Sequence, residues 1–254
     1  MSEEPDGGLP ESIELAWGLR ERPGKGPKRA LSLKGIIDAA VRIGSAEGLE
    51  AVSMSRVAAE AGASTMALYR YVPSKNALLS LMLDEVMGGP PRLPGPEEGW
   101  RAALSAWVWA LRATMRRNPW LLRAPITGPP IMPNNVRWME AGLRAMRGMG
   151  LDGGARISLI ILLSNYVRSE VRMTHELATA FQEASTSESE VVRGYGAMLT
   201  ALTDPGRFPE LHAILEDGVF EGAVGTPDDD FVFGLETLLD GLEALVRRGG
   251  APDA

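Results

Sequence analysis

The stretch Val52–Lys75, VSMSRVAAEAGASTMALYRYVPSK, restricts what this chain can fold into more than any other feature. It reads as two short helices joined by a tight turn. Ser53 stands where an N-cap is needed, and Val52 and Val57 are spaced for a hydrophobic staple. The first helix runs through Arg56 to Ala61, and Gly62 supplies the left-handed turn residue. Ser64 caps a second helix over Thr65–Tyr71, which Pro73 ends by forcing Val72 out of helical geometry. Ala58, Ala59 and Ala61 are small enough to let the two helices approach closely. This is the pattern of a helix-turn-helix. It is equally the pattern of an ordinary helical hairpin, in which Tyr69 would be a core-edge aromatic.

The flanks are helical too. Leu33, Ile36, Ile37, Ala40 and Ile43 recur at helical spacing, with Ser32 as cap and Gly48 as stop. Ser74 caps a further helix carrying Leu78, Leu81, Met82 and Val86, and GGPPRLPGP at 88–96 breaks the chain. Beyond it, helices are expected near 98–117, 119–124, 133–149, 153–180, 188–203 and 228–247. No alternation typical of strands is sustained, so the fold class is all-α. Residues 1–30 are rich in Gly, Pro and charge. They read as a flexible basic extension, within which Ser12–Leu19 has the pattern of a short amphipathic helix.

Charge separates the same regions. From Arg22 to Asn76 there are nine basic and four acidic residues, a net of +5. The whole chain is −7, so the remainder carries −12. All four lysines, Lys25, Lys28, Lys34 and Lys75, lie in the basic stretch. A basic module on an acidic body suits a DNA reader joined to a regulatory domain, although a charge cluster on a solvated face has the same signature. On the DNA reading, Thr65, Met66, Ala67, Tyr69, Arg70 and Tyr71 lie on the helix that enters the major groove. Tyr69, Tyr71 and Lys75 would reach phosphates. Met66 and Ala67 donate no hydrogen bonds and would read thymine methyl groups by contact.

Other classes find little support. There is no cysteine, so no disulfide, thiol nucleophile or Cys-based metal site is available. His175 and His212 lack metal-ligand spacing. No nucleophile elbow, P-loop, paired-histidine motif or Rossmann glycine pattern occurs. No enzyme activity and no cofactor are therefore expected. An acidic start without an apolar signal core and central apolar runs as short as Leu159–Leu163, far below the roughly 20 residues that span a bilayer, predict a cytoplasmic protein with no membrane partner.

The resemblance becomes specific over Leu33–Met87. The segment G-ASTMALYRYVPSKNALLSLMLDEV is similar to the recognition helix and connector helix of the tetracycline-repressor (TetR) family. Gly62, Leu68, Tyr69, Val72, Lys75, Leu78 and Leu79 stand at family spacing without gaps. RRNPWLLRAPITGPPIMPNNVRWMEAGLRAMRGMGL (116–151) and FVFGLETLLDGLEALV (231–246) resemble that family's tetracycline-repressor-type C-terminal domain. The resemblance implies a helix-turn-helix domain at 31–88 and a ligand-binding and dimerisation domain at 96–248. It adds Ser53, Ser55 and Arg56 as DNA contacts and makes Lys75 a phosphate-binding lysine. It implies a dimeric regulator, most simply a repressor, released from a palindromic operator by a small effector. A helical interaction module and an unrecognised helical enzyme are the alternatives.

Trp100, Trp107, Trp109, Trp120 and Trp138, with five nearby methionines, either fill a core or line a cavity for a mainly apolar effector. The resemblance favours a cavity, with Trp107, Leu111, Met115, Trp138, Met139, Gly142 and Asn165 as its lining. The family's founding member holds its drug through a metal bound partly by histidine. Here no histidine stands near Pro125–Thr127, which argues against tetracycline as effector. In the last helix Phe231, Leu235, Leu238, Leu242 and Leu245 are spaced four, three, four, three, a heptad seam. Gly234 and Gly241 flank it. The seam packs either within the subunit or, as the resemblance implies, in a homodimeric four-helix bundle.

Overall fold

A computed structural model describes residues 9–19, 31–124, 129–221, 225–226 and 228–249. Eleven α-helices and no strand occur among them: α1 (Glu11–Ala16), α2 (Leu33–Glu47), α3 (Met54–Glu60), α4 (Thr65–Tyr69), α5 (Lys75–Met87), α6 (Gly99–Arg117), α7 (Pro133–Ala145), α8 (Gly153–Glu183), α9 (Glu188–Leu202), α10 (Pro209–Glu216) and α11 (Asp229–Gly249). None of these helices is long and apolar enough to cross a membrane. The expected all-α class is the observed one.

All four predicted serine caps are made. The hydroxyls of Ser32, Ser53, Ser64 and Ser74 accept from the backbone N–H of Gly35, Arg56, Ala67 and Ala77 at 3.1–3.3 Å. Each satisfies one of the N–H groups that a helix start leaves without an internal partner. Gly48 and Gly62 take φ values of 84° and 66°, where a side chain would be strained. The helix of the sequence reading at 119–124 is a 3-10 turn, Pro119–Arg123, and α10 has no counterpart among the expected spans.

Two compact units divide the chain, Met1–Arg168 and Ser169–Ala254. The boundary falls within α8 rather than in the Pro-rich break. In the first unit, the helix-turn-helix and the start of the expected ligand domain share one hydrophobic core. Ile36, Val52, Val57, Leu68, Leu78 and Met82 are fully buried in it, and Trp120 and Leu121 of the 3-10 turn join them. Trp120 lies beside Gly44 of α2, where a Cβ would come within 3.9 Å of its ring.

The start of the chain differs from a wholly flexible extension. Ile13 of α1 is buried in the same core, and α1 packs on α5. The Trp17 indole N–H donates to the Ile131 carbonyl at 2.9 Å. Residues 9–19 therefore belong to the folded unit, and the basic arm at 20–30 lies outside the described residues. In the second unit, Phe231, Leu235, Leu239 and Leu242 form the buried side of α11.

Candidate nucleic-acid interface and effector domain

The capped helix α4 presents the surface that could enter a DNA groove. Met66 is 78% exposed, and Tyr69 and Arg70 are exposed beside it, while Leu68 faces inward and is fully buried. Thr65 and Ala67 are half-buried. Lys75, in the first turn of α5, is exposed, and neither it nor Arg70 makes an ion pair among the described residues. Two unpaired cations and a phenol thus stand close in sequence around one short helix. A duplex phosphate backbone asks for such groups.

Other predicted contacts are partly committed inside the protein. Ser53 uses its oxygen as the α3 cap and meets the Ser55 hydroxyl at 3.3 Å. Arg56 is ion-paired with Glu47 at the end of α2. The Tyr71 hydroxyl donates to the Leu31 carbonyl at 3.3 Å, tying the motif to the chain just before α2. Ser55 is exposed. Lys34, basic by sequence, is held by Asp38 at 2.9 Å and Glu85 at 3.5 Å. The hydrogen bond to Asp38, followed by its charge, raises the Lys34 pKa.

The expected effector residues are brought together only in part. Trp107 and Trp138 meet edge to face, with centroids 6.2 Å apart, and the Trp107 indole donates to the Trp138 carbonyl at 2.9 Å. Gly142 sits against this pair. A Cβ there would fall 2.4 Å from Ile160 Cδ1 and 3.1 Å from Trp107 Cε2, so glycine lets the tryptophan lie on α7. Leu111 and Met115 are buried and Met139 is half-buried. Asn165 is exposed on α8. These side chains are largely core in the protomer.

The heptad seam is divided in the same way. Phe231, Leu235 and Leu242 are at most 4% exposed in the protomer, and Leu239 shares their side of α11. Leu238 is half-buried and Leu245 is 39% exposed. A straight helix advances 100° per residue, so it turns Leu239 toward the buried side and Leu238 toward its edge. Next to Leu238 and Leu245, Gly234, Thr237, Gly241 and Ala244 make an uncharged strip, and nothing lies within 4 Å of a Cβ placed on Gly241.

Asp84 and Trp138 join α5 to α7, and sequence reasoning missed the first of them. Asp84 is a buried carboxylate on α5. It accepts from the backbone N–H of Asn134 at 3.0 Å and of Asn135 at 3.1 Å, and from Asn135 Nδ2 at 3.0 Å. Asn134 Nδ2 donates to the Asp84 carbonyl at 2.9 Å. The Trp138 indole donates to the carbonyls of Met87 and Gly88 at 3.3 and 3.0 Å, where α5 ends. The helix that begins at Lys75 is therefore fastened to the core of the expected effector domain at its far end.

Comparison with known proteins adds ancestry to this geometry. Residues 36–82 match the family of bacterial regulatory proteins described as the tetR family, and residues 93–246 match the tetracyclin repressor-like C-terminal domain. The HTH-type transcriptional repressor DrrR1 of Streptomyces coeruleorubidus is 41% identical over 247 residues, covering 96% of this chain and 89% of that protein. Apo ActR of Streptomyces coelicolor superposes with a TM-score of 0.68 at 27% identity, over 89% of this chain and all of that one. ActR bound to actinorhodin superposes with the same score and identity, over 87% and 99%.

Proposed function

Because this chain belongs to the tetracycline-repressor family of bacterial regulators, we propose that it is a dimeric, ligand-responsive repressor that leaves a palindromic operator when a small effector binds. It acts in the cytoplasm as a DNA-binding regulator and not as an enzyme. In this reading residues 31–88 bind DNA and residues 96–248 carry the effector and dimer functions, and the family matches over 36–82 and 93–246 support that assignment. The observation that carries the reading is the exposed face of α4, with Tyr69, Arg70 and Lys75 free to meet phosphates. Met66 and Ala67 would touch bases, with Thr65 and Ser55 at the edges. Arg56 joins them once it leaves Glu47, while Ser53 and Tyr71 chiefly hold the motif in shape.

ActR has been seen with actinorhodin. By analogy, the effector of this chain binds the C-terminal domain, and the core around Trp107 and Trp138 supports a mainly apolar ligand. Any movement there would reach Met87 and Gly88 through the Trp138 indole. A two-fold dimer needs its recognition helices about 34–36 Å apart, so a modest swing of α5 would release DNA. The effector must bind the DNA-incompetent form more tightly, since equal affinity shifts nothing.

The test is fluorescence anisotropy with operator DNA across a salt series. Tyr69→Ala and Lys75→Ala should weaken binding, and loss of the Lys75 phosphate contact should reduce the salt slope by about 0.9. Unchanged affinity and slope in both variants would remove this surface from the interface. An effector found by thermal shift should perturb tryptophan emission, and Trp107→Leu should abolish that signal.

A further inference from the structure

A second feature of the first unit is used by none of these roles. The Pro-rich break after α5 does not run free over the surface. Residues Pro90–Pro96, the start of α6 and the end of α7 line an open pocket of about 510 Å³. That is within the range of small-molecule sites, about 300–1,000 Å³. Trp107, Trp138 and Gly142 do not line it.

The walls have a definite chemistry. Ala103 of α6 and Ala141 and Ala145 of α7 are buried and form a flat apolar floor, where the two helices carry small side chains. Trp100 stands half-buried at one side, with no hydrogen bond to its indole N–H among the described residues. Three arginines, Arg92 from the Pro-rich segment and Arg144 and Arg147 from the end of α7, complete the lining. All three are exposed, and none of their guanidinium groups makes an ion pair or hydrogen bond among the described residues. No carboxylate lines the cavity. At its rim, Glu98 accepts the N–H of the lining residue Gly95 at 3.3 Å, and the Glu97 carboxylate lies against the same glycine.

Three unpaired guanidinium groups around an apolar floor favour an anion, and their planar forks suit a carboxylate, sulfonate or phenolate. The floor and the tryptophan favour a flat ring system, which can stack on indole and guanidinium faces. Pro90, Pro91, Pro94 and Pro96 fix φ along the Pro-rich segment, so this wall loses little freedom when a ligand enters. We propose that this cavity is a binding site for a planar aromatic anion, separate from the apolar core around Trp107. Binding here does not depend on the repressor reading, because it needs no DNA.

The experiment titrates the full-length protein, without DNA, with two fluorescent probes. One is 8-anilinonaphthalene-1-sulfonate, an aromatic anion whose naphthalene ring is planar. The other, N-phenyl-1-naphthylamine, has the same rings without the sulfonate. The sulfonate should bind at one site per protomer. Arg144→Gln/Arg147→Gln should weaken it at least fivefold, and Arg92→Gln should weaken it further. The neutral probe should change less than twofold. Arg172→Gln/Arg193→Gln removes the same charge from residues outside the lining and should leave both probes unaffected. Equal sulfonate affinity in the wild type and the Arg144/Arg147 variant would overturn the proposal. Equal loss in the Arg172/Arg193 control, or equal loss of the neutral probe, would also overturn it. Failure to bind operator DNA would count against the repressor reading alone.

Discussion

Asp84 of α5 caps α7 by accepting the backbone N–H of Asn135, fifty-one residues further along the chain, at 3.1 Å. Helix α7 has no cap of its own, because Met132 precedes it and Pro133 opens it. A carboxylate at a helix N-terminus meets both the free N–H groups and the positive end of the helix dipole. Helix α5 has 13 residues, a length of about 20 Å. Its first turn bears Lys75 and its last turns bear Asp84 and Met87, so one rigid rod spans from the proposed DNA contact to the effector core.

Replacing Asp84 with Ala should therefore cost about 1–3 kcal/mol, the penalty for leaving buried donors unmet. Asp84→Asn keeps one carbonyl acceptor and should lose less. Thermal unfolding should rank wild type above Asp84→Asn above Asp84→Ala. A melting temperature unchanged in both variants would show that α7 does not need this cap.

The Arg56–Glu47 pair leads to an expectation with the opposite sign. Both side chains are about half exposed, at 46% and 48%, so the pair adds little to stability. It does occupy the guanidinium that the proposed interface would offer to phosphate. Glu47→Gln should leave the melting temperature nearly unchanged and tighten operator binding severalfold. In an Arg56→Ala background the same change should do almost nothing. An equal gain in both backgrounds would mean that Glu47 acts by general repulsion of DNA and not through Arg56.

The four serine caps, the turn at Gly62 and most helix spans were legible in the sequence because each depends on neighbours a few residues apart. The Asp84–Asn135 bond was not, since nothing local links those positions. The one available signal was the missing cap before Pro133. Helix α10 was missed because it is eight residues long, opens at Pro209 and has no side-chain cap. Composition marks the tryptophan cluster as apolar but cannot tell that Trp107 and Trp138 spend their N–H groups on the Trp138 carbonyl and the end of α5. On α11 the residues buried within the protomer, Phe231, Leu235, Leu239 and Leu242, follow the 3.6 period of a straight helix, which a 3.5-period pattern in the sequence does not single out.

Trp120 tests whether the shared core supports the helix-turn-helix. It is 7% exposed and packs beside Gly44, next to Val52 and Met82. Trp120→Ala should cost about 3–5 kcal/mol, as large aromatic truncations in cores do. Trp120→Phe keeps most of the apolar area and should cost clearly less. Operator affinity measured well below the melting temperature should fall in the alanine variant, since Val52 and Met82 back the motif. A melting temperature within a degree of wild type in Trp120→Ala would separate this residue from the core.

The two sides of α11 make contrasting predictions about assembly. Leu242 is 4% exposed within one protomer, so Leu242→Glu places an unpaired charge in a closed interior. That variant should lose several kcal/mol and unfold, which says nothing about a partner. Gly241 is exposed, has open space around its Cβ position, and lies on the uncharged strip with Leu238 and Leu245. Gly241→Arg leaves the protomer undisturbed and gains about 1 kcal/mol in helix propensity. If that strip forms the dimer seam, a bulky cation there blocks close approach of two helices and leaves charge buried on each side. Sedimentation should then show a folded monomer with wild-type helical content by circular dichroism. Operator affinity should collapse, because one helix-turn-helix cannot hold both half-sites. A Gly241→Arg protein that still sediments as a dimer would place the interface on another face of the molecule.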